Sequence, residues 1–340
     1  MSEARHLLDA ILELHDEVRD EVVSATERRH LETLASVDRD QDGDTIYAID
    51  VVGEEVVNRF AETLAATHSF VLIAEGLPGG CRCYAKNGPD EASADWRIII
   101  DPIDGTRGLM YQKRSAWVLT AVAPNRGPDT SLRDVVLAMQ TEIPLVKQHL
   151  SDQLWALRGE GAQARRYNRL TGQSMAVRLT PSTASSIAHG YASITRFFPG
   201  ARDVLAAVDE AIVLAALGPP IPGKASCFED QYASTAGQLY ELMAGHDRFV
   251  ADLRPLVRPW LAQRELPPSL TCHPYDVCCA LIAEENGVIV TDVHGGPLDV
   301  PLNVDADVAW VGYANASIRA QIEPALQEAL RAQGLIGRRP

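Results

Sequence analysis

The sequence predicts a mixed α/β (α+β) fold in two parts, and three patterns carry that expectation. Apolar residues recur at helical intervals twice near the start, a run of β-rich segments follows, and strands alternate with helices beyond about residue 180. An N-terminal α+β domain of two helices and an antiparallel sheet is expected over 1–180, and a C-terminal α/β domain over 181–340. With 340 residues, 46% hydrophobic and 23% charged, the chain has core enough for one large domain or two ordinary ones.

Leu7, Leu8, Ile11, Leu12, Leu14, Val18 and Val22 lay an apolar stripe along a helix over 4–30. A second helix follows Asp50, with Val52, Val56, Val57, Phe60 and Leu64 on one face. "SFVLIAE" is a strand ending at Glu75, and "WRIIID" is another ending at Asp101. Between them, the glycines and prolines of "GLPGGCRCYAKNGPDEASAD" (76–95) predict a mobile loop near both strand ends. "AWVLTAVAP", "DVVLAMQTEIP" and "QLWALRGEGA" continue the β-rich run. Later, "YASITRFF" is a strand, 202–217 and 230–244 are helices, and "LGPPIPGKAS" (217–226) is a loop. "YDVCCALIAEENG" is expected as one helix closed by Gly287 in a left-handed cap. "VIVTD" and "VAWVGYA" are strands, and 316–334 is a last amphipathic helix. There are no repeats and no low-complexity tracts.

Asp and Glu number 46 against 31 Lys and Arg, a net charge of −15. That balance argues against nucleic acid polymers and anionic membranes, which need a basic face. A phosphorylated small molecule remains compatible, provided cations lie between it and the protein. The opening "MSEARHLLDAILELHDEVRD" lacks the apolar core of a signal peptide, and "AIVLAALG" is too short to span a membrane. The six cysteines (Cys81, Cys83, Cys227, Cys272, Cys278 and Cys279) include no C-x-x-C pair. Structural thiols in a reducing, cytoplasmic setting are expected.

The chemistry concentrates in "DPIDGTRGL", Asp101 to Leu109. Two strands ending in acids, Glu75 and Asp101, with Asp104 one turn on, place carboxylates close enough to form an oxygen cage. Magnesium takes hard oxygen ligands in near-octahedral geometry and keeps some waters. Pro102 holds the turn, so Asp101, Asp104 and the Ile103 carbonyl can converge. Gly105 permits close approach to backbone N–H groups that hold phosphate oxygens, and Thr106 offers a hydroxyl to orient a water. Alone, the same residues also describe an ordinary acidic turn. Asp276, at a helix start after Pro274, is a fourth acid; it either serves the helix dipole or binds a second metal.

The order Glu75, Asp101-Pro102-Ile103-Asp104-Gly105-Thr106, Tyr275-Asp276 and "ENGVIVTDVHGGPLD" resembles the inositol monophosphatase superfamily. "DGDTIYAID" and "YASTAGQLYELMAGHDRF" match two further segments, so the resemblance runs from the first helix to about Val311. It implies a layered α-β-α-β-α sandwich and magnesium-dependent phosphate monoester hydrolysis, often lithium-sensitive, with two or three Mg2+ per site. Carried over by position, Glu75, Asp101, the Ile103 carbonyl and Asp104 resemble ligands of one metal. Asp101, Asp104 and Asp276 resemble ligands of a second, and Asp50 the acid near a third, weaker one. Thr106 and Glu75 would activate the attacking water, with Asp50 beside them. Phosphate would rest on the metals and on the Gly105 and Thr106 amides. Ser234 and Thr235, in the Ala233-Ser234-Thr235 segment, would help hold substrate along with Asp104, Arg107 and Asp276. A homodimer is expected by the same resemblance.

Two rivals fit less well. The haloacid dehalogenase phosphatases use D-x-D-G-T, but the nucleophile position before "IDGT" is Pro102, so the register is wrong. "DRDQDGDTIYAI" (38–49) matches a calcium loop at Asp38, Asp40, Asp42 and Gly43 but has Thr45 at its eighth position and Ile49 at its twelfth. There is no G-x-S-x-G, and His273 is better placed to enter a helix than to act as a base. Departures from the inositol-specific pattern are Ser269 in place of an acid, Tyr275 for tryptophan and Tyr47 for threonine. They leave the substrate open among inositol phosphates, sugar phosphates, histidinol phosphate and 3′-phosphoadenosine 5′-phosphate. Arg107 could meet a second anionic group or point to water.

Overall fold

A computed structural model describes residues 2–28, 37–41, 44–85, 88 and 90–337. Helix α1 (Ser2–Arg28) leads to a hairpin of β1 (Val37–Gln41) and β2 (Asp44–Tyr47), then to α2 (Ala48–Leu64). The stripes Leu7, Ile11, Leu14 and Val18 on α1 and Val56, Val57 and Ala61 on α2 are buried together. They cover one face of an eight-stranded sheet made of β3 (Phe70–Ala74), β4 (Cys81–Tyr84), β5 (Trp96–Asp104), β6 (Ala116–Pro124), β7 (Leu137–Ile143), β8 (Leu150–Leu157), β9 (Ala162–Asn168) and β10 (Gln173–Val177). The spatial order is β10-β9-β8-β7-β6-β5-β3-β4, antiparallel throughout except for the parallel pair β3 and β5. Phe70, Leu72, Ile98 and Ile100 face the helices, while Val71, Ile73 and Ile99 face the other way into a second core. Both faces being covered, these strands read as unbroken apolar runs rather than alternating ones.

The second core is filled by α5 (Thr235–Met243), α7 (Pro274–Val277) and α8 (Ala280–Asn286), and beyond them by Val250, Val290 and Trp310 of a smaller sheet. That sheet has the order β11 (Tyr191–Ile194), β12 (Asp247–Asp252), β14 (Trp310–Tyr313), β13 (Ile289–Thr291). Its outer face, with Ile194, Phe249, Ala251 and Val311, packs on α4 (Arg202–Leu217) and α9 (Ala316–Ala332). Two short helices, α3 (Thr106–Met110) and α6 (Arg258–Gln263), complete the elements named here. The layers are therefore α-β-α-β-α. Each fully buried Leu, Ile or Phe in them contributes roughly 1.5–3 kcal/mol.

Several boundaries differ from expectation. The second helix begins at Ala48, before Asp50, which lies in its first turn and accepts the Tyr47 N–H at 2.8 Å. The helix expected over 230–244 starts only at Thr235, where Ser234 caps it by accepting from the Gly237 N–H. The single helix expected over 275–287 is two, broken at Cys278 and Cys279. Both thiols are buried, and Cys279 Sγ reaches the Met139 carbonyl of β7 at 2.9 Å, so packing on the sheet overrides local periodicity. Gly287 does close the second piece, at φ 100°. The stretch 76–95 is not a loop throughout, since Cys81–Tyr84 forms the edge strand on β3. Strands β9, β10 and β12 were not anticipated, because their polar or mixed residues hide the alternation. As for the calcium-loop rival, Asp42 and Gly43 lie outside the described residues. Within 38–49 the described backbone is the paired strands β1 and β2 and the first residues of α2, and Ile49, at the twelfth position, is fully buried in the core.

Candidate metal centre

Because β3 and β5 run parallel in register, Ala74 beside Ile100, their ends emerge at the same edge and bring Glu75 next to Asp101. In a regular strand, residues three apart point to opposite faces. The pairing of β5 with β6 is interrupted here: Asp101 lies opposite Leu119 and Asp104 opposite Trp117, so three steps on one strand match two on the other. This bulge turns both aspartates to one side, and Pro102, which cannot donate to a ladder, sits inside it. Gly53 of α2 lets the helix press onto the bulge, since a Cβ there would meet Pro102 Cβ at 2.8 Å. Gly105 follows at φ 94°, where a Cβ would also lie 2.9 Å from Ser234. A side chain at Gly105 would push the two halves of the cleft apart.

Asp276, third residue of α7, completes the cluster and caps its own helix by accepting the His273 N–H at 2.6 Å. Ligand oxygens of Asp101, Asp104 and Asp276 all lie within 4.8 Å of one another. The cleft is lined by these three, Asp50, Glu75, Ile103, Gly105, Thr106, Arg107, Ser234 and Thr235, which brings every residue singled out from the sequence to one place. Among the described residues, none of 76–95 lines it, although the stretch begins directly after Glu75.

Burial raises the Asp101 carboxyl well above its usual range, and the charges of Asp104, Asp276 and Glu75 add to the effect. Asp276 is raised in the same way, first by burial and then by Asp104. Asp104 is pushed up to about 6 by burial, against the opposing pull of the Ala236 N–H and the Ser234 hydroxyl. Those two donors hold Asp104 Oδ2 at 2.7 and 2.8 Å. Among the described residues, none of the three aspartates forms an ion pair with Lys, Arg or His.

The Thr106 hydroxyl lies 2.7 Å from Asp50 Oδ1 and 2.9 Å from the Ile103 carbonyl. Its proton is thus directed into the protein, and its oxygen can accept from a water. Ser234 and Thr235 line the cleft, with their hydroxyls engaged inside the protein. Both are buried, the Ser234 hydroxyl is donated to Asp104, and the Thr235 hydroxyl faces Cys272 Sγ at 3.8 Å. They shape the wall and hold a carboxylate. His273 is the helix-entry residue, its Nδ1 at 3.0 Å from the Ala306 carbonyl.

Sequence reasoning missed Tyr47, Phe197, Phe198 and Arg254 as cleft residues. Arg254 is buried, with its Nε 2.9 Å and its Nη2 2.5 Å from Asp252 and its Nη1 3.2 Å from the Leu270 carbonyl. The only sequence signal was the Asp-Leu-Arg spacing after a strand that had not itself been recognised.

No family model matches the chain, and no curated protein matches it. Solved structures do. The extragenic suppressor protein SuhB of Bartonella henselae aligns with a TM-score of 0.64 at 15% identity, covering 95% of this chain and 99% of that one. The inositol monophosphatase of Thermotoga maritima aligns at 0.59 and 17%, covering 96% and 99%. Fructose-1,6-bisphosphatase of Leishmania major aligns at 0.67 and 13%, covering 95% and 93%. At such identities the likeness concerns the fold. This chain has the inositol monophosphatase-type α-β-α-β-α sandwich.

Proposed function

We propose that this chain is a magnesium-dependent phosphomonoesterase acting on a small phosphate ester. The observation that carries the reading is the convergence of Asp101, Asp104 and Asp276 within 4.8 Å, the first two buried and the third half-buried, with no ion pair to Lys, Arg or His among the described residues. A set of hard oxygens fits Mg2+ and not softer metals. Glu75, Asp101, the Ile103 carbonyl, Asp104 and Asp276 would hold it. When bound, the metal would lower the pKa of a coordinated water and neutralise charge on the phosphoryl oxygens.

The protein's own residues do the rest. Asp50 fixes the Thr106 hydroxyl, so that Thr106 Oγ1 would accept a hydrogen bond from the attacking water and orient its lone pair. Glu75, beside Asp101, is the carboxylate that would take the water's other proton as the water attacks. The Gly105 and Thr106 amides would face the phosphate, and Ser234 with the Ala236 N–H keeps Asp104 in place. The structural relatives named above include two phosphatases by their printed names, which supports the same reaction class.

The test is phosphate release from a panel of inositol phosphates, sugar phosphates, histidinol phosphate and 3′-phosphoadenosine 5′-phosphate, with and without magnesium and lithium. Magnesium-dependent release that lithium inhibits is expected. Silence across the panel with every divalent metal would end the proposal.

A further inference from the structure

The cleft that holds the carboxylates is also walled by Phe197, Phe198 and Leu270, all half-buried and all bordering its open space. This wall is built in advance of any ligand. Phe197 and Phe198 meet edge to face at 4.7 Å, and Arg202 donates to their carbonyls at 2.7 and 2.9 Å. The Arg254 guanidinium lies 4.6 and 5.4 Å from the two ring centroids, and its Nη1 donates to the Leu270 carbonyl at 3.2 Å. One arginine, anchored by Asp252, thereby fixes both parts of the wall. Arg107 lies over the rings of Tyr47 and Phe198, at 5.6 and 5.2 Å, and ties the wall to the first half of the chain.

The polar side chains around this wall are committed to the protein. Ser234 donates its hydroxyl to Asp104 at 2.8 Å, Thr271 to Asp307 at 2.5 Å, and Thr235 to Cys272 Sγ at 3.8 Å. Arg254 spends Nε, Nη1 and Nη2 on Asp252 and Leu270. Glu54, Arg107 and Tyr275 also have partners within the protein. The Tyr47 phenol is a further polar group on this side, one where a polyol needs several. A ring of hydroxyls entering here would give up water without gaining matching donors, and a buried polar group left unmatched is costly. Hydrocarbon packed on Phe197, Phe198 and Leu270 meets no such penalty and leaves water favourably. Because the wall is already ordered, little entropy is lost when it is covered.

We propose that the leaving group of the substrate carries a hydrocarbon ring that packs on Phe197, Phe198 and Leu270, and that polyol phosphates are poor ligands. The inference rests on the phosphatase reading for the place of the phosphate, and it narrows the substrate to esters of ring-bearing, largely apolar alcohols.

The test uses phosphonates, which cannot be hydrolysed: cyclohexylmethylphosphonate and its counterpart bearing hydroxyls on the other ring carbons, titrated calorimetrically in magnesium. Wild type is expected to bind the hydrocarbon ring about 10- to 100-fold more tightly, the range for burying one large apolar group. Phe198→Ala should remove most of that ratio, whereas Phe198→Leu, which keeps apolar surface there, should retain most of it. Leu270→Asn, which leaves the carbonyl that Arg254 holds, should also lower the ratio, so the reading does not depend on one variant folding. Equal or tighter binding of the hydroxylated ring by wild type would overturn the proposal, as would failure of both to bind. A ratio undiminished in both Phe198→Ala and Leu270→Asn would overturn it too. If the preference holds but the matching hydrocarbon phosphates release no phosphate, the apolar subsite stands and the phosphatase reading fails. If polyol phosphates turn over as readily as hydrocarbon ones, the phosphatase reading stands and this inference fails.

Discussion

The acids that line the cleft and the acid behind it that pairs with Arg254 are treated in opposite ways. Asp252, with no solvent exposure, is matched by Arg254 through contacts of 2.9 Å from Nε and 2.5 Å from Nη2. A few residues away in space, Asp101, Asp104 and Asp276 are held by N–H and hydroxyl donors but by no ion pair among the described residues. The first arrangement is neutralised from within and makes structure. The second stays short of positive charge, and its raised carboxyl pKa values record burial first and, for Asp101 and Asp276, the charge of the neighbouring acids second. A fold tolerates such a cluster where charge arrives from outside.

The largest effect that would sharpen this contrast is on turnover. Asp104→Asn and Glu75→Gln should each lower phosphate release by more than about 100-fold, beyond the 10- to 100-fold typical of losing a residue that only orients a ligand. Both should keep the wild-type circular dichroism spectrum. Normal activity in either would dissolve the distinction between the two sets.

Next comes stability. Asp252→Asn should cost about 3 kcal/mol by urea unfolding, since it strands a buried guanidinium. Metal-free Asp104→Asn should lose far less, because it removes a repelled charge. Magnesium at a hundred times its Kd should then stabilise wild type by about 2.7 kcal/mol over protein in chelator, and Asp104→Asn by much less. A magnesium shift of equal size in both proteins would show that the ion binds elsewhere.

The effect that is smallest per pH unit concerns His15, a buried titratable group with neutral partners, Thr120 and Thr141 at 2.9 Å each. Burial holds it neutral, lowering its pKa to about 3 from an ordinary 6.5. The unfolded chain therefore takes up this proton first. His15's contribution is intact above 6.5 and is lost as pH falls toward 3, by about 1.4 kcal/mol per pH unit. Asp104 runs the other way: its value of about 6 exceeds the ordinary 3.8, so its contribution favours folding at low pH and fades as pH rises through 6. His15→Gln should flatten the acid side of a stability profile measured in denaturant, whereas metal-free Asp104→Asn should steepen it.

Much of this centre was legible in the residues themselves. Proline and glycine fix backbone shape locally, so "DPIDGT" announced a turn carrying two acids, and the apolar runs "FVLIA" and "WRIII" announced strands ending at Glu75 and Asp101. Periodicity likewise foretold α1, α4 and α9, because each buries one stripe along its own length. What the sequence could not state is which strands are neighbours, or where side chains far apart along the chain meet. Only packing decided that β3 and β5 run parallel, that a bulge puts Asp101 and Asp104 on one side, and that the helix after Asp276 breaks at Cys278 and Cys279. Only packing gave the Ser234 hydroxyl to Asp104 and set Arg107 between Tyr47 and Phe198. The reason is physical: conformational preference acts over a few residues, whereas charge, burial and hydrogen bonding act through space and take effect once the layers have closed on one another.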